Sequence, residues 1–409
     1  MDDNNNKQIR IYDESEKYIR LSVDETIARK LNQWQGWQCS AGVRGLYIDY
    51  DGNLWRCNSA GSKIDRFNYQ GWETLKQATK SKTSRIEWPD VLNVIALDYR
   101  KTKDAYKKVL DNTEENKNLY PGFLGNIYDG YDLPTDWFKC PWELCGCGAD
   151  VSIAKAQSVM HKILLSIEND SWSGRDQTAN LLTTDIETPV AVETNFPLPY
   201  QILWDIGRRC NYDCSYCWTS VHNRVEEHKD FELLKNTSDK IIDEWANGQT
   251  IRWAFGGGEP TLHPQFLDWM KHLKSKNQWT MVTSNGTRDF KYWSEAANYL
   301  NSILLSAHFD GLHSEKEEDR FVRNIEAICK TMDQTNEDKW IEVKLMAPPK
   351  YLERAIKLKE KILSLNLLDK VGNNGRIKGT LSIVPIRSMG DSSSLVEYTE
   401  EQLAIMRTQ

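Results

Sequence analysis

No apolar run in this sequence approaches the eighteen or so residues that a membrane-spanning helix needs, so no membrane span is expected. The opening, MDDNNNKQIR, is polar and acidic, with no apolar signal region. No long basic block occurs either. KQATKSKTSR (76–85) comes nearest and reads as a solvated loop. With 52 Lys and Arg against 59 Asp and Glu, the formal charge is −7, which argues against a nucleic-acid partner. Cysteine is scarce, nine residues in 409. A cytoplasmic protein with reduced thiols is the expectation. In that setting, clustered cysteines point to metal rather than to disulfides.

What is present is ordinary globular material, 40% apolar and 27% charged, and long enough for two or three domains. Sixteen Trp and seventeen Tyr are many. They suit aromatic cores and an interface, or else an aromatic-lined pocket.

From about residue 200 the sequence alternates strand and helix. The strands are QILWDIG, TIRWAFGGG, WTMVTSNG, SILLSAHFD, WIEVKLMAPP and GTLSIVPI. Between them run amphipathic helices, the first being DFELLKNTSDKIIDEWANG, which ends at Gly248, and TEEQLAIMRTQ begins a last one. Six β-α repeats with short apolar strands predict a parallel sheet with helices outside. Six is fewer than the eight units of a closed barrel, so the expected α/β fold is an open, partial (β/α)6 TIM-like barrel. Cys329 sits at helical spacing with Ile325 and Ile328 and reads as core.

Residues 1–150 read differently. GLYIDYDGNLWRC is a hairpin with its turn at Asp51-Gly52. DAYKKVLDNTEENK reads as helical, and SIAKAQSVMHKILLSIEN as one good helix. The polar loop that follows takes the domain boundary, giving 1–195 and 196–409.

The stretch CNYDCSYCW places Cys210, Cys214 and Cys217 directly after a strand. A zinc site usually wants paired C-x-x-C units, and only one is present locally. A thioredoxin-type pair leaves the third cysteine unexplained. Three buried cysteines by chance fit poorly in a strand-to-helix loop. An iron–sulfur cluster uses thiolates at such spacings, and three ligands on a four-iron cubane leave one iron open for substrate or cofactor.

Cys210, Cys214, Tyr216 and Cys217 spell C-x3-C-x2-C with an aromatic residue before the last cysteine. The second strand ends in Gly257-Gly258-Glu259-Pro260. In both respects the sequence resembles the radical S-adenosylmethionine (SAM) enzymes, over roughly residues 200–400. The resemblance implies a [4Fe–4S] cluster on the three cysteines. It also implies a SAM methionine group held by Glu259 and the adjacent backbone, with the glycines permitting close backbone approach. By position at strand ends, Ser284, Asn285, Ser306, His308, Lys344, Met346 and Val384 are further expected SAM contacts. His308 has a second reading, as a satisfied polar core residue.

The N-terminal cysteines extend the resemblance. Cys39, Gly52 and Cys57 give C-x12-G-x4-C, followed by LGNIYDG (124–130) and CPWELCGCGAD (140–150). This resembles the SPASM or shorter twitch extensions of many radical SAM enzymes, which begin C-x9-15-G-x4-C and ligate auxiliary [4Fe–4S] clusters. There the extension follows the barrel, whereas here it precedes it as a small α+β domain. A full SPASM domain carries seven cysteines. The five here, Cys39, Cys57, Cys140, Cys145 and Cys147, imply one auxiliary cluster, with structural zinc as the alternative.

The resemblance implies reductive cleavage of SAM to a 5′-deoxyadenosyl radical that takes a hydrogen atom from substrate, with flavodoxin or ferredoxin as electron donor. A peptide or amino-acid-derived substrate is the leading expectation, although no winged-helix pattern precedes the cysteines. A carbohydrate, nucleoside or other small metabolite is the alternative. A non-catalytic iron–sulfur scaffold or electron carrier is the reading from another class.

Overall fold

The computed structural model describes residues 8–13, 18–22, 31, 34–58, 60, 110–120, 122–140, 154–157, 191–194, 200–217, 224–335, 337–368, 377–386 and 398–408. Cys145, Cys147 and most of the helix expected over 152–169 lie outside them. The described residues up to Leu203, with Asn236–Arg252, form one compact unit. Trp204–Lys235 and the described residues from Trp253 onward form a second.

The first unit is built from short strands. A six-stranded sheet is formed by β1 (Gln8–Tyr12), β2 (Tyr18–Ser22), β3 (Gln38–Cys39), β8 (Phe138–Lys139), β9 (Ala154–Ala156) and β10 (Ala191–Thr194), in the order β2-β1-β10-β9-β3-β8. A second group joins β4 (Gly45–Ile48), β5 (Asn53–Trp55), β6 (Phe123–Asn126) and β7 (Gly130–Tyr131) as consecutive antiparallel neighbours. The expected hairpin is β4-β5, with Tyr47 opposite Trp55 and Ile48 opposite Leu54. Gly52 at its turn has φ of +88°, a conformation that favours glycine. The buried Asp49 carboxylate accepts from the amides of Asp51 and Asn53, from Asn53 Nδ2 and from Trp55 Nε1.

Asn126, in the LGN stretch, ties the next turn. Its Oδ1 accepts from the Tyr128 and Asp129 amides, and its Nδ2 donates to the Leu110 carbonyl. Asn53 Oδ1 accepts from the Leu110 amide, so one residue is gripped from both hairpins.

Two expected helices change here. Ala154–Ala156 is the buried strand β9, because antiparallel pairing on both flanks, with β10 and β3, overrides the helix propensity of Ala and Lys. In the 104–117 stretch the described helix is only Glu114–Leu119, started by Thr113, whose side chain accepts from the Asn116 amide.

The strands β11 (Tyr200–Asp205), β12 (Ile251–Gly256), β13 (Trp279–Ser284), β14 (Ser302–His308), β15 (Lys339–Met346) and β16 (Ile377–Val384) follow one another across a sheet in chain order. The pairs β13–β14, β14–β15 and β15–β16 are parallel. Helices Phe231–Lys240, Phe266–Ser275, Phe290–Tyr299, Glu315–Asp333, Leu352–Ser364 and Glu400–Thr408 alternate with them. The first helix continues as a π turn over Ile241–Trp245 before Gly248. This is the α/β order of a partial (β/α)6 barrel.

Much of the tryptophan is core. Trp204, Trp253, Phe255, Phe266 and Trp269 are buried together, with Trp269 edge-on to Trp204 at 4.9 Å. Cys329 is buried on its helix, as the spacing predicts. Lys339 is buried too, and its ammonium donates to the carbonyls of Ala297, Asn298 and Leu300, capping the helix Phe290–Tyr299.

Candidate functional site

The C-terminal ends of these strands carry the expected residues. The register sets His308 beside Met346 and Met346 beside Val384, and sets Ser306 beside Lys344. Along β15 the residues Glu342, Lys344 and Met346 share the less buried face, and Lys344 pairs with Glu342 at 3.0 Å.

The cysteine loop lies just beyond β11. Three interactions fix it against strand ends distant in sequence. Ser215 donates from its amide and hydroxyl to Asp310, at 2.8 and 2.6 Å. The Tyr216 hydroxyl and His308 Nδ1 share a 2.8 Å hydrogen bond, with the rings stacked. Asn285 Nδ2 donates to Asn211 Oδ1 at 2.9 Å and lies 3.9 Å from the Cys210 sulfur. Burial holds His308 down at about 4, so its ring is neutral at pH 7. Its partner is therefore Tyr216 of the cysteine loop.

Gly257 and Gly258 permit a close backbone approach within the fold itself. A Cβ on Gly258 would stand 2.5 Å from both the Arg208 and Arg209 carbonyl oxygens, and one on Gly257 2.5 Å from the Gly207 oxygen. The glycines thus let the β12 end run against the backbone that leads into Cys210. Gly258 N donates to Gly207 O and Glu259 N to Arg209 O. Because the atoms met are backbone, they cannot swing aside. Gly258→Ala is expected to cost about 1–3 kcal/mol and to displace the cysteine loop. Thermal melts with iron content check this, and an unchanged melting point with full iron would refute the packing argument.

Glu259 is buried, and its carboxylate accepts four hydrogen bonds. Thr261 donates from its amide and hydroxyl at 3.1 and 2.5 Å, Ser284 from its hydroxyl at 2.8 Å and Asn285 from its amide at 2.6 Å. Burial pushes the acid upward against these bonds, which favour the charged form. The residue therefore joins the ends of β12 and β13 whatever else it holds. Glu259→Gln keeps the size but turns an acceptor into a donor facing donors. It also removes the charge that the resemblance aims at the SAM ammonium. SAM affinity is expected to fall roughly tenfold to a hundredfold, from a charge-assisted bond of about 1.5–3 kcal/mol. Equilibrium binding of SAM measures it, and unchanged affinity would mean that Glu259 carries no such contact.

Ser215, Asp310, Asn211 and Thr261 also hold the site together and belong to no motif in the sequence. Asp310 had a signal, lying two residues past His308 at a strand end. Ser215 and Asn211 are small polar residues whose partners are distant in sequence, and Thr261 meets its neighbour Glu259.

The donor set suits an iron–sulfur cluster. Burial pushes Cys210 up to about 11 and Cys214 up to about 12, and Cys217 adds to both by charge repulsion. Thiols so placed stay protonated at neutral pH unless a metal cation takes the place of the proton. Among the described residues, no group of three or more His, Cys, Asp and Glu side chains is spaced for a single metal ion. A cubane shares its thiolates among different irons and does not require that spacing.

In the first unit, Cys39, Cys57 and Cys140 are joined by no disulfide and belong to one buried cluster with Trp34 and Trp55. Cys39 ends β3. Cys140 follows β8 and is bonded through its backbone to Gly36 and Trp37. Cys57 follows the hairpin. The topology thus brings three of the five N-terminal cysteines together.

Residues 204–343 match the radical SAM superfamily. The chain therefore carries a radical SAM domain, a domain type that uses a [4Fe–4S] cluster and SAM. It is 22% identical over 119 residues to Fe-coproporphyrin III synthase of Methanosarcina barkeri, covering 29% of each chain. It is 32% identical over 85 residues to the tungsten-containing aldehyde ferredoxin oxidoreductase cofactor-modifying protein of Pyrococcus furiosus, covering 20% of this chain and 23% of that one. It is 29% identical over 101 residues to the PqqA peptide cyclase of Bradyrhizobium diazoefficiens, covering 24% of this chain and 26% of that one. The matches span less than a third of the length of these relatives.

Proposed function

We propose that this protein is a radical SAM enzyme acting on a peptide or amino-acid-derived substrate, with a radical SAM core over 196–409 and an auxiliary [4Fe–4S] domain over 1–195. The observation that carries the reading is the fixed cysteine loop. Cys210, Cys214 and Cys217 stand at the strand ends, tied to β12 through Glu259 N and to β14 through Ser215 and Tyr216. When bound, the reduced cluster would give one electron to SAM, which would leave methionine and a 5′-deoxyadenosyl radical able to take hydrogen from an unactivated carbon. The chain's part is to hold and shield them. The three thiolates bind the cluster. Glu259 orients Ser284 and Asn285 and offers negative charge to the SAM ammonium. Ser306, His308, Lys344, Met346 and Val384 lie in rows at the same strand ends, where ribose and adenine would be met.

Cys39, Cys57 and Cys140, with Cys145 or Cys147, hold the auxiliary cluster. Flavodoxin or ferredoxin supplies the electron, in the cytoplasm. Among the described residues no helix is long and apolar enough to cross a membrane. The peptide assignment leans on the likeness to PqqA peptide cyclase. A small-metabolite substrate is the second reading, favoured by the likeness to a coproporphyrin synthase and a cofactor-modifying protein.

Anaerobic incubation with SAM and dithionite tests the class. The enzyme reading predicts 5′-deoxyadenosine and methionine in equal amounts, whereas a non-catalytic iron–sulfur scaffold or electron carrier makes neither. Rate enhancement by candidate peptides, against none by small metabolites, tests the substrate.

A further inference from the structure

Lys155 is 1% exposed. An ammonium that deep is costly unless an anion faces it. The strand register shows one group that it faces. Across β8, β3 and β9, Phe138, Cys39 and Lys155 stand in one row. Directly opposed residues of antiparallel strands share a face, and so do residues two apart on one strand. Lys155 is therefore on the face of Cys39, with Cys140 two residues on from Phe138. Lys155 Nζ lies 3.0 Å from the Cys140 sulfur, within hydrogen-bond range for sulfur, and 5.9 Å from the centre of the Trp34 ring.

A second cation stands near the other two sulfurs. Arg56 adjoins Cys57 in the chain. Its guanidinium donates to the carbonyls of Ala41 and Asp136 and lies 4.9 Å from the centre of the Phe138 ring, the strand partner of Cys39. Three buried thiols thus share their pocket with a lysine and an arginine. In the loop of Cys210, Cys214 and Cys217, the amide of Asn285 lies 3.9 Å from the first sulfur.

We propose that Lys155 is a positioning residue for the auxiliary cluster: it donates from Nζ to the Cys140 sulfur and, with Arg56, raises the cluster's reduction potential. This rests on the reading that Cys39, Cys57 and Cys140 hold that cluster. A positive charge and an N–H donor at a cluster sulfur favour the more negative, reduced state. The effect suits a cluster that accepts an electron from substrate rather than one that only braces the fold.

The test uses the full chain with Cys210, Cys214 and Cys217 replaced by Ala, so that only the N-terminal cluster remains. An anaerobic redox titration followed by EPR compares this parent with the same protein carrying Lys155→Met or Lys155→Arg. All three are expected to hold about four irons. Lys155→Met should lower the potential by at least about 59 mV, a tenfold change in a one-electron equilibrium. Lys155→Arg should recover at least half of that. Full iron with an unshifted or raised potential overturns the proposal.

The unmutated side chain gives a second readout, should Lys155→Met fail to fold. In the parent labelled with 15N-lysine, the reduced cluster should show 15N hyperfine coupling by ENDOR, and its absence overturns the proposal. A parent that holds no iron overturns the cysteine assignment itself and this inference with it. The iron count thus separates failure of the cluster reading from failure of the lysine's role.

Discussion

Replacing Cys210, Cys214 and Cys217 together by Ala is expected to abolish SAM cleavage outright while leaving the absorbance of the N-terminal cluster in place. The loop donates three sulfurs and its anchors donate none. Ser215 holds Asp310 and Tyr216 holds His308 through hydroxyl and amide groups that the substitutions leave untouched. The loop should therefore stay folded and lose only its metal. Burial pushes Cys210 and Cys214 upward, so without iron both thiols are neutral at pH 7, and Ala relieves no charge there and removes only the packing of the sulfur atoms. Stability of the iron-free chain should change little. Residual 5′-deoxyadenosine in the triple variant, measured anaerobically with dithionite, would sink the assignment of the cluster to this loop.

The second large effect is in the N-terminal half. Reconstituted protein is expected to carry about eight irons, four in each of two cubanes. A zinc site would give about four irons and one zinc. Two auxiliary clusters would give about twelve, more than five thiolates can fully ligate. Cys39→Ala and Cys57→Ala should each drop the count to about four. Cys39 is fixed by the β3 ladder and Cys57 by the end of the β4-β5 hairpin, so neither position has a neighbouring thiol to replace it. Cys145 and Cys147 are one residue apart in the sequence, so either should partly cover for loss of the other. If Cys39→Ala and Cys57→Ala both retain eight irons, the auxiliary-cluster reading fails.

The parallel strand–helix repeat was legible because each strand is a short apolar run and each helix shows its stripe. The cysteine loop was legible because spacing, aromatic residue and preceding strand agree. What escaped is what depends on distant partners. Ser215 meets Asp310 across 95 positions and Tyr216 meets His308 across 92, and no local pattern reports either. Glu259 was read through its charge alone. Its four donors come from Thr261, Ser284 and Asn285, so it is as much a tie between strand ends as a ligand-facing group. Ala154–Ala156 read as helix because its residues are good helix formers. The strand is imposed by two neighbours, one of them Gln38–Cys39, more than a hundred residues earlier. The glycines of the Gly257-Gly258 pair were recognised as room for approach to a ligand, and their packing against the chain's own backbone was not. They make room for backbone, as the 2.5 Å approaches of a Cβ to carbonyl oxygens require.

The central claim is that the Cys210 loop carries a cluster with an iron left open for SAM. It is tested most directly in Cys39→Ala protein, which should retain the barrel cluster alone. The reduced cluster is examined by EPR and ENDOR with SAM labelled with 15N at the amine and 17O at the carboxylate. The account predicts a changed EPR signal on SAM addition and hyperfine coupling to both labels, lost when Cys210, Cys214 and Cys217 are replaced by Ala. A reduced four-iron cluster whose signal is unmoved by saturating SAM and couples to neither label would contradict it.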